Sequence, residues 1–448
     1  MTFMKTYMIK TILLAVALFS SSMAHALDFF TPNEDGVIIF YNILNSRERT
    51  CSVSRGSTYG VYSGAIRIPE RVSYNSIEFT VVKIDNEAFY NCRDLTSVEI
   101  PETVTTIGQS AFGNCHNLAS IKIPSGVTTI GSNAFTACYS LTSITIPDAV
   151  TSIGRGAFYG CTNLTSITIP DNVTSIWDYT FQNCTSLTSV TIGKSVETMW
   201  YYAFDGCDAL KEVTSRIETP PFVISNCFTS KVRSTALLKV PKGTKAKYQS
   251  TSVWMTFRNI IEEGTEYRTM KLSDDLQLFI YSENLDFSGC KNLNVYTACG
   301  FNLETNEVLM MPVTVVPAGT GVLIKGGTET FYPLVSDQSS IYYPNFLVGN
   351  LTEISLTDGY ILKDDAFVRV DAPTIIPANS VYLAPPATVQ GAKRLTMKFL
   401  EDLTGIDLVE DDMPQGDSHW YSLQGTRLNG TPTTSGIYIR NGRKVWVK

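Results

Sequence analysis

Residues 141–163, LTSITIPDAVTSIGRGAFYGCTN, decide the fold, because nearly the same 23 residues recur six times between Ile84 and Ser215. Aligned on its cysteine, the repeat sets Cys92, Cys115, Cys138, Cys161, Cys184 and Cys207 in step. Phe89, Phe112, Phe135, Phe158, Phe181 or Phe204 stands three residues before each, and Leu95, Leu118, Leu141, Leu164, Leu187 or Leu210 three after. Alternation from Leu141 to Ile146 points Leu141, Ile144 and Ile146 inward and Ser143 and Thr145 outward, which predicts a half-buried strand that Pro147 ends. Val150 to Ile153 reads as a second short strand, broken by Gly154. Ala157, Phe158 and Cys161 sit at helical spacing and predict a short helical turn that closes the coil. A fixed period in the twenties is the mark of a solenoid. About seven apolar side chains per coil contribute ~10–20 kcal/mol when buried, whereas ordering one repeat costs ~1–2 kcal/mol per residue. One coil therefore cannot fold alone, and both ends of the stack need caps.

Working outward, residues 27–83 read as the entry cap. Gly64 to Pro69 already carries the strand-proline motif, and Tyr74 to Phe79 lengthens the turn into a hairpin that shields the first coil. Residues 216–266 read as the exit cap: Ala236 to Pro241 gives a last strand, and Trp254, Phe257, Ile260 and Ile261 an apolar helix. From 267 to 403 the period vanishes and short β-like runs take over, which predicts an antiparallel, sandwich-like all-β domain. Two of its segments, Val316 to Ile324 and Ile376 to Leu383, are similar to each other. Residues 404–417 are an acidic linker. Residues 418–448 end in a hairpin with Asn441-Gly442 as its turn.

The first 26 residues carry Lys5 and Lys10 before an apolar run from Ile12 to Phe19, then Ala24-His25-Ala26, the pattern of a cleaved export signal. That run is short for a membrane span, and the reading is an exported chain without a transmembrane segment. Loss of the two lysines moves the formal charge from -7 to -9, which disfavours nucleic acid as a partner. In an exported protein ten cysteines raise the question of disulfides. The six in the ladder are one strand spacing apart, but their parallel Cα–Cβ vectors do not suit a disulfide dihedral, and a straight ladder offers zinc no tetrahedron. They read as buried free thiols packing as small hydrophobes. On that reading Cys138→Ser places an unsatisfied hydroxyl in an apolar column at ~1–3 kcal/mol, and Cys138→Ala is milder. The pairing of Cys51, Cys227, Cys290 and Cys299 stays open.

The motif I-G-x-x-A-F-x-x-C-x-x-L-T-S-I-x-I-P, as in Ile130 to Pro147, resembles the BspA-like leucine-rich-repeat family of bacterial surface and secreted proteins. The resemblance implies a β-rich leucine-rich-repeat solenoid of six coils, each with two short strands and a helical turn. It also implies adhesion to host proteins, other bacteria or glycans, without residue-level sites. The ending G-I-Y-I-R-N-G-R-K-V-W-V-K resembles the sorting tails of the type IX secretion pathway.

Chemistry is scarce. After signal removal only His116 and His419 remain, which leaves no histidine triad or multi-histidine metal site. Asp148 and Asp171 occupy equivalent turns, but a calcium site needs six to eight oxygens. No phosphate loop with its lysine is present. The expectation is a non-enzymatic chain without catalytic, cofactor or metal residues, whose function is binding. Two surfaces are candidates. One is a polar ladder of outward strand residues, Ser97, Ser120, Ser143, Ser166 and Ser189 beside Glu99, Lys122, Thr145, Thr168, Thr191 and Thr214, which solubility and β-propensity explain equally well. The other is a break in the code: the glycine of Gly108, Gly131 and Gly154 becomes Trp177 and Trp200, with Tyr179 and Tyr202 two residues on and Tyr201 between. Because earlier coils have glycine there, the rings are not needed to build a coil. They form either an exposed ligand patch or part of the covering of the exit end. A protein or glycan at the cell surface is the expected partner. An alternative gives glycan recognition to 267–403 and makes the solenoid a spacer.

Overall fold

A computed structural model of the chain describes residues 28–400, apart from 57, 225, 273–275, 291, 303, 327–329, 338–344 and 387–391, and three further strands, Trp420–Tyr421, Gly436–Arg440 and Arg443–Val447. The signal segment, the acidic linker, His419 and the Asn441-Gly442 turn lie outside the described residues, while the two strands flanking that turn pair antiparallel from Gly436 with Val447 to Arg440 with Arg443. The chain divides into two units, Met1–Gly264 and Thr265–Lys448.

In the first unit the three ladders read from the repeat are all inside, because each carries an apolar side chain that only a neighbouring coil can cover. The phenylalanines are fully buried, and their rings stack in a column from Phe89 to Phe228 with centroids 5.0–5.4 Å apart and planes within 11° of parallel. Tyr62 begins the column, 4.7 Å from Phe89, and Phe228 meets Trp254 and Phe257 at its far end. Both caps thus continue the coil's own packing, which the sequence hides because Phe228 lies one residue out of step.

Parallel ladders join the coils on two faces. On the first, Gly64–Arg67, Leu95–Glu99 and Ser120–Lys122 form one block, and Ser166–Thr168, Ser189–Ile192, Glu212–Ser215, Leu237–Val240 and Asn259–Glu262 another. Between the blocks, Leu141 to Ile146 keeps the expected in-out alternation but forms no strand, so the stretch that displays the pattern best lacks the ladder. On the second face the run ends at Ser152–Ile153, and a separate ladder starts at Ser175–Ile176, continuing through Thr198–Met199 and Phe222–Val223.

The third face corrects the expected helical turn. Ala157, Phe158 and Cys161 are buried as a helical face would bury them, but alternate N–H groups go to different coils. Ala157, Tyr159 and Cys161 donate three residues back to Gly154, Gly156 and Phe158, while Gly156, Phe158 and Gly160 donate to Asp178, Thr180 and Gln182 of the next coil. Two left-handed residues per coil produce this zigzag. They are Gly156 and Gly160 here, and Glu87 and Asn91, Ser110 and Asn114, Asn133 and Ala137, Tyr179 and Asn183, and Tyr202 and Gly206 elsewhere. A right-handed helix admits no such residues. The exit cap also departs from expectation. Trp254–Thr256 is a single 3-10 turn and Asn259–Glu262 a strand parallel to Leu237–Val240, because the Ile260-Ile261 pair extends the ladder rather than winding a helix. Two short polar helices, Ser230–Thr235 and Lys245–Ser250, flank them.

All ten cysteines are free and buried. Each ladder thiol from Cys115 to Cys207 donates to the carbonyl of the phenylalanine 26 residues earlier, at 3.0–3.2 Å. The column is therefore bonded as well as packed, and the Phe112 carbonyl stands ready for a serine hydroxyl at 138. Cys138→Ser accordingly loses its expected disadvantage against Cys138→Ala, which gives up both the contact and the volume. Burial pushes the Cys138 and Cys161 thiols well above their ordinary value, and at Cys207 the neighbouring Cys184 thiol, with burial second, does the same. Because the thiolate is the reactive form, native protein at about pH 8 is expected to resist iodoacetamide at these positions, while unfolded, unreduced protein titrates all ten. Rapid native labelling, or disulfides among the six, would overturn the packing account.

In the second unit a nine-stranded sheet has a palindromic order. Six strands, Leu276–Phe279, Leu285–Asp286, Asn294–Asn302, Glu307–Val313, Val315–Val316 and Val322–Lys325, are matched by Leu347–Asn350, Ile354–Leu356, Tyr360–Lys363, Ala366–Arg369, Thr374–Ile376 and Ser380–Leu383. In each set the first pairs the sixth, the sixth the third, and the third the fourth, while the second and fifth make a separate ladder. The two fourth strands flank Arg394–Phe399, antiparallel on one side and parallel on the other. That parallel pair, Glu307 to Met310 beside Thr396 to Phe399, corrects the all-antiparallel expectation; some eighty intervening residues supply the crossover that parallel pairing needs. The similarity of Val316–Ile324 to Ile376–Leu383 is the visible trace of this duplication, with Gly319 and Asn379 in the same left-handed conformation.

Candidate ligand-binding surface

The five aromatic residues lie together. Trp177 and Trp200 stack at 5.7 Å and 9°, Tyr179 and Tyr202 at 5.6 Å and 6°, and Tyr201 is 6.5 Å from Tyr202. Trp177 is 42% exposed, Tyr201 47% and Tyr202 37%, whereas Tyr179 and Trp200 are half-buried. Arg155 lies 4.9 Å over the Tyr179 ring and 3.7 Å from Asp178, whose carboxylate accepts the Tyr201 N–H at 3.1 Å. The exit cap is covered by other rings, Trp254, Tyr248 and Phe257.

Local backbone shows what these side chains displace. A Cβ at Gly108, Gly131 or Gly154 would fall 2.3–2.6 Å from backbone of the preceding coil. Glycine is thus what lets coils approach there, contrary to the expectation that the position merely tolerates it. Trp177 puts a Cβ at this point, and between it and Gly154 the second-face ladder stops. Tyr179 and Tyr202 hold φ of 60° and 58°, a conformation that suits Gly156 of the preceding coil and costs a bulky residue on the order of 1–3 kcal/mol. No sequence signal revealed this strain except the glycine at the matching place. The indole N–H of Trp200 is buried without a partner.

The polar ladder is divided. Arg67, Ser97, Glu99, Ser120, Lys122, Ser143 and Thr145 line a shallow groove of about 880 Å³, while Ser166, Thr168, Ser189 and Thr191 lie in register beyond it. Its charges are answered locally, Arg67 by Glu99 at 2.8 Å and Lys122 by Glu102 at 2.8 Å. Asp171 accepts the Lys194 N–H and lies 3.8 Å from Arg216. His116 rests against Tyr139 at 4.7 Å, and burial, aided by Arg93, lowers its proton affinity. Among the described residues no group of three or more His, Cys, Asp or Glu could hold a metal ion. No helix among them is long and apolar enough to cross a membrane, which says nothing of strands.

Residues 82–211 match, in six copies, the family model described as the BspA type leucine rich repeat region. The solenoid is a BspA-type leucine-rich repeat. Among solved structures the chain is similar to a leucine rich repeat protein of T. pallidum, 28% identical with a TM-score of 0.36, over 45% of this chain and 85% of that one. It is also similar to a leucine-rich repeat protein from Bacteroides ovatus, 23% identical with a TM-score of 0.27, over 54% and 76% of the two chains. A leucine rich cell surface protein from Faecalibacterium prausnitzii is 19% identical with a TM-score of 0.20, over 54% and 97%. No curated protein matches the chain. Within the BspA-type repeat the inward ladders are kept in all six coils, whereas Trp177 and Trp200 replace the glycine that the three preceding coils carry.

Proposed function

We propose that the chain is an exported surface or secreted protein that acts by binding, with adhesion as its role, and that Trp177, Tyr179, Trp200, Tyr201 and Tyr202 are where the BspA-type solenoid meets a protein or glycan partner. One observation carries the reading. Two adjacent coils carry Trp where the three before them carry glycine, and Tyr at the left-handed position two residues on, and the outcome is two parallel ring stacks with Trp177, Tyr201 and Tyr202 exposed. None of the five rings belongs to the buried core, and Trp177, Tyr201 and Tyr202 are exposed. The coil needs the left-handed backbone there but not a bulky ring on it, and a bulky residue held in that conformation is a pointer to function; binding energy tends to concentrate in Trp and Tyr. The self-paired charges of the polar groove give it less to offer a partner.

An array of glycans and matrix proteins, probed with residues 27–264 and 265–448 separately, tests the reading. Binding is expected on the first half. Capture by the second half alone would transfer recognition to the duplicated β unit, and turnover of any arrayed glycan or peptide would replace binding with catalysis.

A further inference from the structure

The surroundings of Trp177 narrow the ligand to one chemical class. One face of its indole lies on Trp200. The other looks back along the solenoid over Gly154, and behind that over Gly131, both half-buried and without side chains of their own, while Gly108, one coil further, is buried against the Asn86 side chain. Glycine is enforced at these three points by the approach of the preceding coil. A track bare of side chains therefore runs over Gly131 and Gly154 and ends against an exposed aromatic wall. Two residues before the glycines, Thr106, Thr129 and Ser152 supply one hydroxyl per coil along one edge. One residue after them, Gln109, Ser132 and Arg155 supply one polar group per coil along the other. Coils follow one another at 5.0–5.4 Å, as the phenylalanine column measures, close to the length of one pyranose unit in an extended, equatorially linked glycan.

Resting on the patch reading above, we propose that this track binds such a glycan, with one pyranose stacked by its C–H face on the free face of Trp177 and successive units bonded across the two polar rows. A pyranose has an apolar face for the ring and hydroxyls at its rim for the rows. An apolar side chain would satisfy the ring but leave the polar edges desolvated without partners, which costs about 1–3 kcal/mol for each buried group. A nucleic acid would face a chain of formal charge -7.

The test uses the full chain without residues 1–26, a broad printed array of host and microbial glycans together with matrix proteins, and calorimetry with linear β-linked hexaoses of glucose, mannose and N-acetylglucosamine. At least one extended, equatorially linked glycan is expected to bind. Trp177→Gly is expected to weaken it at least tenfold, and Ser152→Arg, which fills the track from an exposed position without touching the ring, to do the same. Asn163→Arg, exposed elsewhere on the coil, should leave binding unchanged. No bound glycan, or one held equally by all variants, overturns the proposal. If Trp177→Gly abolishes only the capture of a protein, the glycan inference fails while the patch reading stands; if no substitution alters any binding, both fail.

Discussion

Phe158→Ala is expected to lower the unfolding free energy by about 3–5 kcal/mol, the cost of deleting a fully buried aromatic side chain. Phe158 lies mid-column, 5.4 Å from both Phe135 and Phe181, so truncation leaves a cavity with a ring on either side and nothing that can move to fill it. Its carbonyl also accepts the Cys184 thiol, so relaxation of the backbone would disturb the next coil as well. Because each coil is held only by its neighbours, the loss should separate the transition into two steps, with the coils on either side of residue 158 melting apart. Denaturant unfolding followed by hydrogen exchange would read both effects. A loss below about 1 kcal/mol would mean that the column is slack and that the strand ladders bear the stability.

Trp177→Gly with Trp200→Gly is expected to weaken partner binding at least tenfold, about 1.4 kcal/mol, while the melting temperature hardly moves. The opposing terms are visible. The variant loses one indole stack, worth about 0.5–1.5 kcal/mol beyond area burial, and the half-buried Trp200 contact. In return it restores the residue that lets Gly108, Gly131 and Gly154 pack against the preceding coil. The net change in stability should stay within about 1 kcal/mol, the scale of one such stacked pair. A fall in melting temperature as large as that of Phe158→Ala would assign the rings to the core instead.

How much of this was legible in the sequence follows from what repeats. The Phe, Cys and Leu ladders announce themselves because each coil must place the same inward side chain on the same neighbour, and a 23-residue period is unmistakable over six copies. The turn face was misread as helical because Ala157, Phe158 and Cys161 satisfy helical spacing. Its left-handed residues are glycine or asparagine only in part, and Glu87, Ser110 and Tyr179 conceal the rule. The unpaired stretch Leu141 to Ile146 shows that alternation specifies a face, not a hydrogen-bonded ladder. The thiol bonds to phenylalanine carbonyls depend on a 26-residue offset between coils, which no local pattern displays. In the second unit the duplication survives in sequence only where Pro317-Ala318-Gly319 and Pro377-Ala378-Asn379 require the same turn. The aromatic cluster was legible as a departure from the consensus, and its strain was not.

Hydroxyl-radical footprinting of the chain, alone and saturated with a partner taken from the array, locates the contact directly. Oxidation of Trp177, Tyr201 and Tyr202 is predicted to fall several-fold on binding, while Tyr139, 43% exposed on the same solenoid, and Tyr59, 48% exposed at its entry end, keep their reactivity. Protection confined to residues 265–448, or to the groove around Lys122 and Thr145, with the aromatic cluster still fully reactive, would contradict the assignment.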